Sequence, residues 1–417
     1  MAGSACDALA GRLRFLPDGR MRPAIWTVVA AAAASISLAL GMRQTFGLFL
    51  LPLSAEAGIS PAVLGTAVAI HNLVWGLSQP VSGAIADRWG AGRVMAGGAL
   101  LLAAGLGLPA LWPTATAILF GIGVLTGIGV SCCGTGAALA AVGRAVPPEK
   151  RGEMIGLASA GGSLGQAAMV PLAQSLIGSV GAVATLGILA LSLLVILPIS
   201  RSIEWGAPRQ VAGQRSTGLA GLPALARQAL ADRDFALLTA GFFACGFQLA
   251  FLTMHLPSHI ALCGLPIGLG ATALMTVGLF NIPGSWLCGK VSSHVRPELA
   301  LGWIYLLRTI AIACFAFSTP TYAGTVVFAA VMGFVWLGTI PLTSAAIARR
   351  FGVADLGALY GVCFLSHQVG GFLGAAAGAV LLETAGSYQA FWPLMIAVGI
   401  AASAMNWAVR PPRTAMA

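Results

Sequence analysis

Residues 83–93 read Gly83-Ala84-Ile85-Ala86-Asp87-Arg88-Trp89-Gly90-Ala91-Gly92-Arg93, of the form G-x-x-x-D-R-x-G-x-x-R. The stretch is a short charged turn between two long apolar runs. Gly83 lets neighbouring helices approach closely. Gly90 permits a turn conformation closed to other residues. Asp87 can pair with an Arg or cap a neighbouring helix N-terminus. Gly83, Asp87, Arg88, Gly90 and Arg93 are therefore expected to form a conformational latch. The plainer reading is a charged loop that only obeys topology. The matching loop after the eighth apolar run, Gly289-Lys290-Val291-Ser292-Ser293-His294-Val295-Arg296, lacks the acid, so a second latch there is degenerate or absent.

Outward from that turn the chain is unusually apolar. Of 417 residues 58% are hydrophobic and only 8% charged, with a mean hydropathy of +0.91. Soluble domains carry about 25% charged residues. A water-soluble enzyme, a nucleic-acid binder and a disordered chain are excluded on this ground. Glycine is abundant (55 residues) but has no collagen period. About 20 apolar residues cross a bilayer core. Apolar runs fall near 24–50, 61–86, 93–112, 115–144, 153–178 and 180–199, then near 235–258, 268–290, 298–318, 321–348, 356–382 and 387–409. The expected fold class is an all-α membrane protein of twelve transmembrane helices in two six-helix bundles. The division is a tail 1–23, a bundle 24–200, a linker 201–234 with a short amphipathic helix around 219–231, a second bundle 235–409 and a tail 410–417.

Charge tests this count. With the N-terminus in the cytoplasm, 20 of the 22 Lys and Arg fall in cytoplasmic segments and none in external loops. That is the positive-inside rule, and it explains the net charge of +10 without a nucleic-acid partner. The halves also repeat. Gly156 and Gly361 are 205 apart, as are Gly165 and Gly370, Gly181 and Gly386, and Arg144 and Arg349; Gly83 and Gly289 differ by 206. The pattern supports pseudo-symmetric halves, as in many transporters. The eight cysteines show no C-x-x-C or metal-ligand spacing, so neither disulfides nor a metal is expected. Arg12, Arg14, Arg20 and Arg22 precede an apolar run too long for a signal peptide, which is read as a retained span.

Twelve spans, two halves, a central linker and the 83–93 turn in its usual place together resemble the major facilitator superfamily (MFS) over essentially the whole chain. Gly41-Met42-Arg43-Gln44-Thr45-Phe46-Gly47 looks like the monocarboxylate and oxalate/formate branch of that family. So do Lys150-Arg151-Gly152 and the run from Gly156 through Gly161-Gly162-Ser163-Leu164-Gly165-Gln166 to Pro171-Leu172-Ala173-Gln174. Animal-type monocarboxylate transporters carry an acid and an Arg in span 8. Here that stretch reads Phe280-Asn281-Ile282-Pro283-Gly284-Ser285, which puts lactate-type proton coupling in doubt. The drug-antiporter signature needs a Pro after its second Gly in span 5, which Gly161-Gly162-Ser163 does not supply.

The intramembrane charges point the same way independently. All twelve acids lie in or near cytoplasmic or external segments, whereas Arg43 and Arg308 fall within spans. An Arg at the bilayer centre costs about 2.5–3.5 kcal/mol on insertion scales. An anionic substrate is the simple offset, since the planar guanidinium donates two parallel bonds to a carboxylate. The plainer readings are snorkelling for Arg43 and carbonyl contacts within its own half for Arg308. Other polar residues share helix faces: His71, Trp75 and Gln79 with Asn72; Ser159, Ser163 and Gln166; Gln248, His255 and His259; Tyr360, Phe364 and His367 with Gln368. The expected substrate-binding set is Arg43, Gln44, His71, Asn72, Gln166, Gln248, Asn281, Arg308, Tyr360 and His367. His71 and His367 are the candidates for proton coupling, against hydrogen-bonded structural roles.

Gly161-Gly162-Ser163-Leu164-Gly165 matches a nucleophile elbow, but that motif needs a strand–turn–helix context. No Walker A sequence is present, and no cofactor is expected. The reading is a secondary active transporter, not an enzyme. It would move a small organic anion (a mono- or dicarboxylate) by alternating access, by proton coupling or anion exchange. Export of amphipathic drugs or metabolites is the alternative, and a non-transporting membrane sensor a further one. The expected partners are the anion, protons and the lipid bilayer, with the chain acting as a monomer. Two Lys against twenty Arg hint at a GC-rich bacterial genome, and so at a bacterial inner membrane with both termini cytoplasmic.

Overall fold

The computed structural model describes residues 23–146, 151–203, 218–291, 294–351 and 356–411. Every regular element among them is helical. The first half runs through α1 (Pro23–Arg43), α2 (Leu50–Ala57), α3 (Pro61–Trp89), α4 (Ala91–Leu111), α5 (Ala115–Ile118), α6 (Thr126–Cys133), α7 (Thr135–Ala145), α8 (Arg151–Val180), α9 (Ala182–Leu193) and α10 (Ile196–Ser200). A 3-10 turn (Phe46–Phe49) joins α1 to α2, and a π-helical segment (Leu119–Leu125) joins α5 to α6. The linker contributes α11 (Gly218–Ala231), where the amphipathic helix was expected. The second half holds α12 (Arg233–Leu262), α13 (Gly268–Val291), α14 (Pro297–Phe317), α15 (Tyr322–Phe334), α16 (Thr339–Phe351), α17 (Leu356–Ala385) and α18 (Phe391–Trp407).

Joined end to end these helices make twelve crossings. Ten are long and apolar enough by themselves to cross a membrane. The remaining two are α8, whose apolar character is diluted by glycines, Ser159, Ser163 and Gln166, and the 17-residue α18. Helices are the expected answer because an open chain in hydrocarbon must satisfy its own backbone groups. Local chemistry sets the ends. Ser60 caps α3 by accepting from the Ala62 amide at 3.2 Å, with Pro61 at the first helical position. Gly90 ends α3 and opens α4 at φ 94°, a conformation that penalises any Cβ.

The duplication is visible in the tightest packing. Gly41 on α1 lies against the Gly165 carbonyl of α8, where a Cβ would stand 2.6 Å from that oxygen. Gly246, 205 positions further on, lies against the His367 carbonyl of α17. Each half thus clamps its first and fifth spans together by removing a side chain at the same place. The fourth and tenth spans also break at corresponding points, Gly134 and 335–338. The Ser35 hydroxyl donates to the carbonyl of Cys133 at 3.1 Å beside the first break. At the second, the Arg308 guanidinium donates to the carbonyls of Val335 (2.7 Å) and Trp336 (3.0 Å).

The halves meet along α3 with α17 and α8 with α13, and where the 3-10 turn meets α12. Gly47 sits against the Thr253 and Met254 carbonyls, and Gly65 against Ala379. The Ser60 hydroxyl donates to Glu383 at 3.1 Å. Toward the end that carries the basic loops the contact stops. A Cβ on Gly83, Gly156 or Gly361 would meet no described atom within 4 Å. The described contacts between the halves thus include a closed seam at the end that holds Gly47, Ser60 and Glu383.

Candidate functional site

α1 stops at Arg43, and the chain turns through Gln44 and Thr45, whose hydroxyl donates to the Met42 carbonyl at 2.7 Å. The turn lets two consecutive polar side chains face inward. Arg43 donates through Nη1 to Gln44 Oε1 at 2.9 Å and through Nη2 to Asn72 Oδ1 at 2.7 Å. Its guanidinium lies 5.3 Å from the centre of the Trp75 ring. Arg43 Nε is buried with no hydrogen-bond partner among the described residues. Every acceptor here is a neutral amide oxygen. Among the described residues Arg43 makes no ion pair. A narrow crevice lined by Arg43, Phe46, Val68, Ala250, Thr253 and Met254 opens beside it.

Polar chains run from this point across the midline. Gln44 Nε2 donates to Gln166 Oε1 at 2.8 Å, and Gln166 Nε2 donates to the Leu274 carbonyl of the other half at 2.8 Å. Gln368 Nε2 donates to the Asn72 carbonyl at 3.1 Å, while Gln368 Oε1 lies 3.0 Å from His367 Nδ1. Asn281 Nδ2 donates to Ser163 Oγ at 2.6 Å, and Asn281 Oδ1 accepts from the Leu337 amide at the break between α15 and α16. Arg43, Gln44, Asn72 and Gln166 thus form one hydrogen-bonded set, and His367 joins it through Gln368.

His71 is fully buried. Thr126 donates its one hydroxyl proton to the Ile122 carbonyl, so it must accept from His71 Nδ1 at 2.8 Å. That assigns the tautomer and leaves His71 Nε2 a buried acceptor with no described partner. His367 is half-buried, stacked on Phe364 with ring centres 5.8 Å apart and near Phe242 at 4.9 Å. Tyr360 continues this aromatic ladder beside Phe364. Trp75 meets Phe364 edge-on at 5.2 Å across the halves.

Two expected ligands lie elsewhere. Gln248 donates to the Met395 carbonyl at 3.0 Å, turned into the packing of α12 on α18. Arg308 is fully buried; its Nη2 donates to the two carbonyls at the α15–α16 break, its Nη1 lies 3.4 Å from Cys245 Sγ, and its Nε has no partner among the described residues. The break frees those carbonyls in hydrocarbon, and the guanidinium covers them. Of the latch residues, Gly90 makes the turn described and Arg93 is exposed. The side chains of Asp87 and Arg88 lie outside the described residues. Thr126, absent from the expected set, was not legible because its role depends on how α3 packs against the fourth span.

A charge clamp ties two helix ends within the second half, apart from the loop after α13. Arg350 Nη2 donates to Asp232 Oδ2 and Asp234 Oδ2, both at 2.8 Å, tying the end of α16 to the start of α12. Partial burial works against ionisation of Asp232. The bond and charge of Arg350, with the amides of Phe235 and Asp234, outweigh it and hold the carboxyl below its ordinary range. Among the described residues no group of three or more His, Cys, Asp or Glu could hold a metal.

A duplicated twelve-span bundle with a polar chain across a midline crevice defines a membrane carrier of the alternating-access type. Residues 27–375 match the Major Facilitator Superfamily, and the chain belongs to that family of secondary transporters. It is 25% identical to the oxalate:formate antiporter of Oxalobacter formigenes, over 88% of this chain and 87% of that protein. It is also 25% identical to monocarboxylate transporter 13 of Rattus norvegicus, over 90% of this chain and 85% of that one. A bacterial homologue of the human lysosomal transporter Spinster has the same fold, with a TM-score of 0.69 and 14% identity over 93% of this chain and 95% of that one.

Proposed function

We propose that this carrier moves a small organic anion, a mono- or dicarboxylate, and that Arg43 is the group that binds it. The observation that carries the reading is the state of Arg43. It faces the crevice, its charge meets only neutral oxygens, and its Nε has no described partner. An incoming carboxylate supplies the missing negative charge and takes charge-assisted bonds. Gln44, Asn72 and Gln166 orient the guanidinium, and the Trp75 ring lies 5.3 Å from it on the side of the seam with Phe364. The names of the relatives at 25% identity, an oxalate:formate antiporter and a monocarboxylate transporter, support the same substrate class.

His367 is the better proton-coupling candidate of the two histidines, because it is half-buried beside the crevice whereas His71 is sealed in its own half. Asn281 and Ser163 hold the α8–α13 seam, and Tyr360 extends the aromatic ladder beside Phe364. Gln248 and Arg308 are left out of the ligand set. Gly83, Asp87, Arg88, Gly90 and Arg93 would latch the basic end when it closes. We place the protein in a bacterial inner membrane as a monomer, with both termini cytoplasmic.

The test is counterflow in proteoliposomes with matched pairs of compounds, each carboxylate against its primary amide. Carboxylates should exchange and their amides should not. Equal exchange of both members of each pair would remove the role of charge and favour export of amphipathic compounds.

A further inference from the structure

The crevice beside Arg43 has two unlike walls. The first half contributes Arg43, Phe46 and Val68, and the second half contributes Ala250, Thr253 and Met254 from α12. These last three stand at i, i+3 and i+4, on one face of the helix. Phe46, Val68, Ala250 and Met254 are buried and apolar. Thr253 is polar, but its hydroxyl donates to the Leu249 carbonyl at 2.7 Å within its own helix. A hydroxyl has one proton, so none is left there for a ligand. Among the described residues a ligand in this crevice thus meets one cation and otherwise apolar surface.

The duplication sharpens the contrast. Gly41 and Gly246 hold matching places 205 positions apart, each where the first and fifth spans of its half pack together. The same offset carries Arg43 onto Gln248, Gln44 onto Leu249 and Gln166 onto Gly371. None of the three replaces its mate. Gln248 is neutral, and its amide is committed to the Met395 carbonyl at 3.0 Å in the packing of α12 on α18. Leu249 is buried and apolar, and Gly371 has no side chain. Arg308, the intramembrane cation of the second half, is spent on the Val335 and Trp336 carbonyls. Two related halves facing one crevice could each have held a carboxylate. Only the first is equipped to do so.

We propose that the substrate carries one carboxylate and a short apolar remainder, that Arg43 takes the carboxylate, and that the α12 wall takes the remainder, with Ala250 setting how large it can be. The inference rests on the anion-carrier reading and narrows it by excluding dicarboxylates. A second carboxylate would lie against Ala250 and Met254 with no cation and no free donor beside it. A charge taken from water without a partner costs more than it returns. An apolar group in the same place gains by leaving water. The wall therefore selects by penalising the wrong ligand as well as by holding the right one. Ala250 has the smallest side chain of the three, so the space over it is what a carbon chain can use.

The experiment is a binding titration on full-length protein in lipid nanodiscs, read by thermal shift at neutral pH. The probes are butanoate against butanedioate and pentanoate against pentanedioate, with butanamide as the uncharged control. Each monocarboxylate should bind about tenfold or more tightly than the diacid of the same length. A diacid that binds as well as its partner or better overturns the proposal and leaves the anion reading standing. Butanamide binding as well as butanoate, or no acid binding at all, instead removes the anion reading, and the proposal falls with it. A second arm places the remainder. Across straight-chain acids of two to six carbons, Ala250→Leu should move the tightest binder to a shorter chain and Ala250→Gly to a longer one. A chain-length profile unchanged in both variants overturns the assignment to this wall; should Ala250→Leu not fold, Ala250→Gly decides alone.

Discussion

Replacing Arg43 by Gln separates the ligand role of the guanidinium from its place in the fold. In the unliganded protein the substitution has two opposed effects. It removes a cation in hydrocarbon, worth about 2.5–3.5 kcal/mol on insertion scales. It also takes a donor from Gln44 Oε1 and another from Asn72 Oδ1, at about 1–3 kcal/mol for each acceptor left unpaired. These nearly cancel, and the shorter Gln amide can recover one donor. The unliganded melting temperature should therefore change little. Binding is different. A carboxylate loses charge-assisted bonds of about 1.5–3 kcal/mol each, and two of them amount to about 100-fold or more in affinity. The assay is a carboxylate titration read by thermal shift, with uptake in proteoliposomes alongside. A folded Arg43→Gln protein that still binds its carboxylate within about threefold of wild type would refute the reasoning, because every tenfold needs about 1.4 kcal/mol.

Gly165→Val should unfold or strongly destabilise the first half, because a side chain there collides with the Ser37 backbone; overpacking of this kind costs about 1–3 kcal/mol, read as a lower melting temperature. Arg350→Ala should lower the melting temperature at neutral pH by freeing Asp232 and Asp234. Since the folded carboxyl of Asp232 is held below its unfolded value of 3.8, that stabilisation is present above this value and is lost as pH falls through the folded one. The wild-type and Arg350→Ala melting curves should accordingly converge in strong acid. Cysteines at 60 and 383, where Ser60 and Glu383 bridge the closed end, should cross-link with a short bifunctional reagent and stop transport; transport that survives complete cross-linking would contradict alternation about this crevice.

The layout of the chain was legible because topology is written in charge. The expected placing of twenty basic residues on one side gave the register of twelve apolar runs, even though α8 and α18 are weak spans on hydropathy alone. Arg43 stood out as a cation inside an apolar run with no acid nearby, and among the described residues it meets only neutral oxygens. Arg308 obeyed the same rule, yet it serves the backbone. The difference lies in the break at 335–338, which frees carbonyls that no periodicity reveals. Helical spacing put Gln248 on a face with His255 and His259, but spacing cannot say which neighbour that face meets, and it bonds to α18 and α17. The loop after α13 lacked an acid, and the clamp of that half uses Asp232 and Asp234 from the far side of the linker instead.

The most direct measurement is a structure of the protein determined with a transported carboxylate at saturating concentration. The account predicts density in the crevice within hydrogen-bonding distance of the Arg43 guanidinium, with Asn72 and Gln44 still on their sides of it. Density for the anion at another cation, with the Arg43 guanidinium unchanged, would contradict it.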